Sequence, residues 1–387
     1  MKSIDRVFLI VLDSVGAGYS PDAADFGDVG ANTLLGVWKT QRLNIPNLIS
    51  LGLGNIEGLS FLGNTDFPRA RIARMTEASA GKDTTIGHWE IAGHVSVNPL
   101  PTFPEGFPFE VIKSLEDAFD REVICNKPYS GTKVLCDYGD EHVTSGKPII
   151  YTSADSVLQI AAHTDIVPIE QLYFWCEQAR KIMQGERFGV GRIIARPFEG
   201  VSGEYRRTAD RRDFSLAPPE NLLPDIVKKN RLDCISVGKI EDIFAGRGFM
   251  QGFHTHSNRE GMEICSKLAN TDFRGLCFVN LVDFDMMWGH RRDAVAYAEG
   301  LNEFDEWLGG FLKTLGQTDM LIITADHGCD PSFEKTTDHT REYTPCIIYG
   351  QGVSAKNMGT RTTFADIGAT VAKALGIDFK CDGTSMI

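Results

Sequence analysis

Three short apolar runs each lead into an aspartate. Residues 7–12 (VFLIVL) run into Asp13, 276–282 (LCFVNLV) into Asp285, and 320–324 (MLIIT) into Asp326. One aspartate at a strand end is ordinarily a turn or helix cap. Three such residues on three buried-looking strands need another account, because α/β sheets gather ligands outside the carboxyl ends of their strands. Histidines accompany two of them: His290 follows Asp285, His327 directly follows Asp326, and His339 lies on the next loop in TTDHTREYTP. Asp oxygen and His nitrogen together suit Mn²⁺, Zn²⁺, Mg²⁺ or Fe²⁺ rather than a sulfur-rich structural zinc site. Six such ligands are enough for two ions, and a pair of ions about 3.5–4 Å apart clamps both oxygens of an in-line phosphoryl displacement.

A phosphoryl clamp needs a nucleophile. The segment GKDTTIGHWEIAGH (81–94) offers Thr84 and Thr85 just before a helix expected to start near Ile86. Free backbone N–H groups and the positive end of the helix dipole favour a bound or covalent phosphate there. Plain capping would explain a threonine at this place in isolation. Beside metal ligands, a hydroxyl activated as a nucleophile is the better reading.

The elements that must position these residues follow from hydrophobic pattern. The three apolar runs are continuous, as in strands buried on both faces. Residues 294–315 have helical spacing with Phe304, Leu308, Phe311 and Leu315 on one face, and a last helix is expected over 364–375. Strands alternating with helices imply a mainly parallel sheet flanked by helices on both sides.

At 387 residues the chain is long enough for two or three domains and for a sizeable core. Its 39 basic and 52 acidic residues give a net charge of −13, which excludes nonspecific nucleic-acid binding and attraction to an anionic membrane surface. No apolar stretch approaches the roughly 18 residues of a membrane span. Nine scattered cysteines with no Cys-x-x-Cys pair, and a first apolar run too short for a signal peptide, suit a cytoplasmic protein. Proline crowds residues 99–108 and 214–224, which read as hinge linkers. They bracket an inserted domain at 109–217. Residues 1–98 and 218–387, which carry all the ligands, form a discontinuous catalytic core. Between Arg180 and Arg212 the insert holds nine Lys and Arg against four Asp and Glu, a basic face suited to phosphate.

Beyond these residues, the sequence resembles the phosphopentomutases of the alkaline phosphatase superfamily. The resemblance rests on LDSVGAG (12–18), GKDTTIGHWEIAG (81–93), YTSADSVLQIAAH (151–163), GVGRIIARPFEG (189–200), VGKIEDIFAGRG (237–248), NLVDFDMMWGHRRD (280–293), TADHGCDPSFEKTTDHTREYTP (324–345) and TFADIGAT (363–370), nearly end to end. One departure is the run PSFEKTT between Asp330 and Asp338, which is longer than expected for the family. The resemblance implies an alkaline-phosphatase-like core with an inserted α/β cap. It implies two Mn²⁺ ions per chain, one held by Asp13, Asp326, His327 and the Thr85 oxygen, the other by Asp285, His290 and His339. Thr85 would be the phosphorylated residue. Asp155, Arg192 and Arg207 in the cap, with Lys239 after the second hinge, would contact substrate. The implied activity is an isomerase reaction interconverting ribose 1-phosphate and ribose 5-phosphate, or their 2-deoxy forms, through a sugar bisphosphate, with glucose 1,6-bisphosphate as activator. A metal-dependent phosphatase or phosphodiesterase on the same core is the rival enzyme. A non-catalytic metal or sugar-phosphate binder is the rival from another class, and it would be expected to have lost the nucleophile or a ligand.

Overall fold

The computed structural model describes residues 4–153, 155–336 and 338–387; Thr337, part of the lengthened run, lies outside them. Two compact units result: one comprises Pro218–Ile387 together with the chain up to Val97, the other Asn98–Ala217.

The first unit is built on an eight-stranded sheet. Its strands lie in the order Gln251–Phe253, Asp233–Val237, Gly275–Leu281, Arg6–Leu12, Asp319–Thr324, Thr344–Gly350, Arg71–Met75 and Lys356–Arg361. The first five run parallel, and Thr344–Gly350 is antiparallel to both its neighbours. Arg6–Leu12 sits at the centre, with Leu12 opposite Leu281 and Val11 opposite Thr324. This register brings the carboxyl ends of the three expected strands side by side. Val7 to Leu12 are all buried, as the continuous apolar run requires of a strand covered on both faces. On one face Phe8, Ile10 and Leu12 pack with Leu301, Phe304, Leu308 and Phe311 of helix Ala294–Thr314. Asp293 caps that helix by accepting from the Ala296 N–H, and the helix ends where Leu315 turns extended. The last helix spans Ala365–Ala374.

The second unit is a six-stranded sheet with strands Ile124–Pro128, Ile149–Thr152, Val157–His163, Arg192–Glu199 and Arg206–Arg207 in that order, Arg212–Ser215 pairing further along Arg192–Glu199. Helices Phe109–Phe119 and Ile169–Ile182 cover one face, and helix Lys133–Ser145 covers the other. This unit starts at Asn98 rather than at 109, because Phe103 and Phe107 bury with Val111 and Leu115 in its core. The second proline-rich stretch is not wholly irregular. Phe214 and Ser215 belong to a strand paired with Arg192–Glu199, and Pro224 stands in the first turn of helix Leu223–Lys229, where its missing N–H costs no helical hydrogen bond. Among the described residues no helix is long and apolar enough to cross a membrane.

Candidate metal centre

Three adjacent strand ends supply the acids. Asp13 follows the central strand directly, Asp326 lies just past Asp319–Thr324, and Asp285 stands beyond Gly275–Leu281. Asp285 belongs to a π-helical turn, Phe284–Gly289, closed by the His290 N–H donating to the Asp285 carbonyl at 3.1 Å. Such turns recur at functional sites. This one folds His290 back so that its Nε2 lies 3.4 Å from Asp285 Oδ2.

The six expected ligands gather in two overlapping groups. His327 Nε2 is 3.3 Å from both Asp13 Oδ1 and Asp326 Oδ2. His339 Nε2 is 3.4 Å from Asp285 Oδ1 and 3.1 Å from His290 Nε2. The two groups meet where Asp285, His327 and His339 converge. Atoms bonded to one ion at about 2.1 Å are spaced like this, roughly 3.0–3.4 Å from one another. The carboxylates show the same intent. Asp326 Oδ1 accepts from the Ser14 N–H at 3.2 Å, and Asp13 Oδ2 accepts from Asn280 Nδ2 at 2.7 Å. Their other oxygens, Asp326 Oδ2 and Asp13 Oδ1, are buried with no hydrogen-bond donor, as is Asp285 Oδ1. Buried anionic oxygens without donors are costly unless a cation satisfies them. The residues present therefore fit divalent metal.

Ring orientation points the same way. His327 Nδ1 faces the Gly328 carbonyl at 3.0 Å and His339 Nδ1 faces the Lys82 carbonyl at 3.1 Å, so both keep Nε2 for the centre. The loop carrying His339 is anchored by its neighbours in the string DHTRE (338–342). The buried Arg341 guanidinium donates to Glu77, to the Gly81 and Glu77 carbonyls and to Asp22. Glu342, buried and pushed up to about 7, accepts from Thr33, Gly18 and Thr340.

Helix Thr84–Ile91 brings the hydroxyls. It starts two residues earlier than its apolar pattern suggests, because Asp83 caps it by accepting from the N–H groups of Thr85 and Ile86. Thr84 Oγ1 lies 3.1 Å from His327 Nε2. Gly87 lets the helix lie against the Asp326 backbone; a Cβ there would overlap the Asp326 carbonyl oxygen. Glu90 accepts from the N–H groups of Ala78, Ser79 and Phe364 and from Thr363 Oγ1, tying the loop before the helix to the last helix.

The remaining expected residues occupy the following places. Lys239, half-buried, follows strand Asp233–Val237 in the first unit, at the same sheet edge as the acids. In the second unit Asp155 is exposed on the turn before Val157–His163. Arg192 opens the next strand, its N–H donating to the Ser156 carbonyl at 3.3 Å. Arg207 donates to the Tyr151 hydroxyl at 3.1 Å, and its Nε is buried without a partner. Its guanidinium occupies the space that a Cβ at Gly131 would take. Arg196 was not singled out from sequence, although it follows Arg192 by an even number of residues and so shares its face of the strand. Its pKa is lowered to about 10 by burial and by Arg211 and Arg207 nearby.

Without a cation the centre favours a proton on His327 beside ionised Asp285 and Asp326. At His327 burial is outweighed by Asp326, Asp13 and Asp285, which keep its pKa well above that of an ordinary histidine. Asp13 is pushed up by burial and by Asp326. An entering cation must displace such a proton, so affinity falls as pH falls. We expect Mn²⁺ affinity to drop by about tenfold per pH unit for each proton displaced between about pH 8 and pH 6. Calorimetry in two buffers of different ionisation enthalpy would count the released protons, and a pH-independent affinity would contradict this account.

Fold and candidate ligand set together fit an α/β metalloenzyme. A family model described as the metalloenzyme superfamily matches residues 5–379. A phosphopentomutase of Lachnoclostridium phytofermentans is 54% identical over 99% of this chain and 98% of its own length, and one of Acetivibrio thermocellus is 50% identical over the same shares. The solved structure of a Leishmania mexicana phosphoglycerate mutase at low cobalt concentration covers 100% of this chain and 98% of its own, with a TM-score of 0.53 at 12% identity, a likeness of fold. The chain belongs to the phosphopentomutase family. It is an isomerase of the phosphoryl-transferring kind and uses metal.

Proposed function

We propose that the protein interconverts ribose 1-phosphate and ribose 5-phosphate, and their 2-deoxy forms, through a phosphothreonine and a sugar bisphosphate. The observation that carries this reading is the Thr84 hydroxyl at the start of its helix, 3.1 Å from the Nε2 of a ligand histidine. Sequence placed the nucleophile at Thr85; the contact with His327 moves the proposal to Thr84. Asp13, Asp326, His327 and the threonine oxygen would hold one Mn²⁺, and Asp285, His290 and His339 the second. Bound there, the pair would neutralise phosphoryl oxygens and stabilise the threonine oxygen as an anion. The sugar hydroxyl attacks the phosphorus of the phosphothreonine in line, the Thr84 Oγ–P bond breaks as the new ester forms, and the hydroxyl proton passes to the freed Thr84 oxygen. The bisphosphate then presents its other phosphate, whose sugar–oxygen bond to phosphorus breaks as the Oγ–P bond is restored, the threonine proton passing to the released sugar oxygen. Glucose 1,6-bisphosphate is the proposed primer of the threonine. Nine free cysteines support a cytoplasmic location.

Asp155, Arg192, Arg207 and Lys239, with Arg196 added, are the proposed substrate contacts. A guanidinium grips a phosphate through two parallel hydrogen bonds. This second phosphate site separates the mutase from the rival phosphatase, since both need metal and threonine. Arg207→Ala should lower isomerisation roughly tenfold to a thousandfold, because each charge-assisted hydrogen bond is worth about 1.5–3 kcal/mol. Metal content should stay unchanged, and release of free phosphate should fall less or rise. Both products are measured in one reaction with ribose 1-phosphate and Mn²⁺. A proportional loss of both would favour the phosphatase.

A further inference from the structure

The motif around the proposed nucleophile contains a histidine that the reaction above does not use. His88 is fully buried on helix Thr84–Ile91. Its Nδ1 lies 2.8 Å from the Thr84 carbonyl and 3.1 Å from Asp326 Oδ2. The N–H direction is taken by the carbonyl, so the carboxylate is an electrostatic neighbour rather than a hydrogen-bond acceptor. Its Nε2 lies 3.3 Å from Nδ2 of Asn280, a buried residue on strand Gly275–Leu281. The same Nδ2 donates to Asp13 Oδ2 at 2.7 Å.

Elementary donor counting fixes this array. An amide nitrogen only donates, and it has two hydrogens. One goes to Asp13 and the other to His88 Nε2. His88 therefore accepts at Nε2 and carries its proton on Nδ1, facing Thr84 and Asp326. Turning the Asn280 amide over would set an oxygen 2.7 Å from a carboxylate oxygen. The amide stays as it is although its own Oδ1 is left without a partner. A buried polar atom left unsatisfied in this way is the mark of an orientation held for another purpose than stability.

We infer that Asn280 and His88 are positioning residues for the first metal position, one connected array that fixes Asp13, Asp326 and the Thr84 end of the helix relative to one another. Asn280 ties down the outer oxygen of Asp13 and leaves Oδ1 aimed at His327. His88 does the corresponding work on the other side, through the Thr84 carbonyl and beside Asp326. The three groups come from residues distant in sequence, and these two side chains add to the Ser14 N–H and His327 contacts that join them. This inference rests on the metal reading above.

The test measures metal, not only turnover. Asn280→Leu keeps the volume and removes the donor; His88→Leu removes both ring contacts; His88→Asn keeps a donor near the Nδ1 position. For the first two, the Mn²⁺ dissociation constant at one of the two positions should rise roughly 10–100-fold, with the other position unaffected, as for partners of metal ligands generally. The visible absorption of the Co²⁺-substituted protein should shift, and His88→Asn should recover part of the affinity. Phe278→Leu changes the packing around the ring that stacks on Phe278 but leaves the hydrogen bonds in place. If it weakens Mn²⁺ as much as Asn280→Leu does, packing is responsible and the inference fails. It fails too if Asn280→Leu binds Mn²⁺ within about twofold of the parent with an unchanged Co²⁺ spectrum. Should Asn280→Leu not fold, judged by melting of the metal-free protein, the two His88 variants decide by the same readouts. Asp13→Ala separates the layers. If it keeps full metal content, the metal reading falls and this inference with it; if it loses an ion while Asn280→Leu does not, only the positioning role is overturned.

Discussion

Stripping divalent ions from the protein will abolish isomerisation, and Mn²⁺ will restore it. The expected loss is complete rather than partial, because the empty centre is also the wrong electrostatic environment. Asp13, Asp285 and Asp326 are all buried and each leaves an oxygen without a donor. A phosphoryl group brought to such a centre meets anionic oxygens in a low dielectric, where like charges repel far more strongly than in water. Single variants should act in the same direction. Asp326→Asn removes the charge of one ligand, and His339→Ala removes a nitrogen within 3.4 Å of Asp285 and 3.1 Å of His290. Each should lose metal and turnover together, by at least about a thousandfold in rate if charge stabilisation of this kind supplies the several kcal/mol expected of it. Elemental analysis alongside the rate is decisive. Full activity in a preparation shown to be free of metal would remove the basis of the mechanism.

Thr84→Ala should leave the fold in place, keep the ion proposed at Asp285, His290 and His339, and eliminate phosphoryl transfer. Without the hydroxyl no phosphoenzyme forms, and neither half of the exchange can proceed, so the expected loss is again total. Thr85→Ala should be mild. Thr85 supplies a backbone N–H to the Asp83 cap, and alanine supplies the same one. Intact mass after incubation with glucose 1,6-bisphosphate should gain one phosphoryl group in the parent and in Thr85→Ala, and none in Thr84→Ala. A phosphopeptide carrying the label on Thr85 would return the role to the residue the sequence first suggested.

That one-residue difference shows where sequence reasoning reaches its limit. Acids at strand ends are legible because a short, β-branched, unbroken run such as 7–12 fits a strand covered on both faces, and its end is then a sheet edge. The histidines that gather with them are legible because they follow those acids on the same loops. Which of two adjacent hydroxyls faces the centre depends on the phase of the helix, set by Asp83 acting as its cap, and residue types do not record that phase. The start of the second unit was misplaced for a related reason. Proline suggests a linker, but Phe103 and Phe107 among the prolines are core residues, and packing outranked local stiffness. His88, Asn280 and Arg196 are not legible in the sequence because their contacts run to side chains on elements far apart in the chain.

The order of strands in the first unit has a consequence for how the protein is made. Its central strand, Arg6–Leu12, is the first to be synthesised, while the two strands that flank it, Gly275–Leu281 and Asp319–Thr324, come late. At translation speeds of about 5–20 residues per second, the first strand waits roughly 15–50 s before a neighbour emerges. Residues Asn98–Ala217 are contiguous, and all their strands pair among themselves, so that unit is complete during the wait. A nascent chain thus carries an apolar strand with both edges unpaired, the condition that invites wrong partners and recruits chaperones. An ion held by the proposed ligands would not hasten this, because they are divided between Asp13 and residues 285–339. Metal capture by that set would then be a closing step of biogenesis, open only to chains whose sheet has closed around the strand made first.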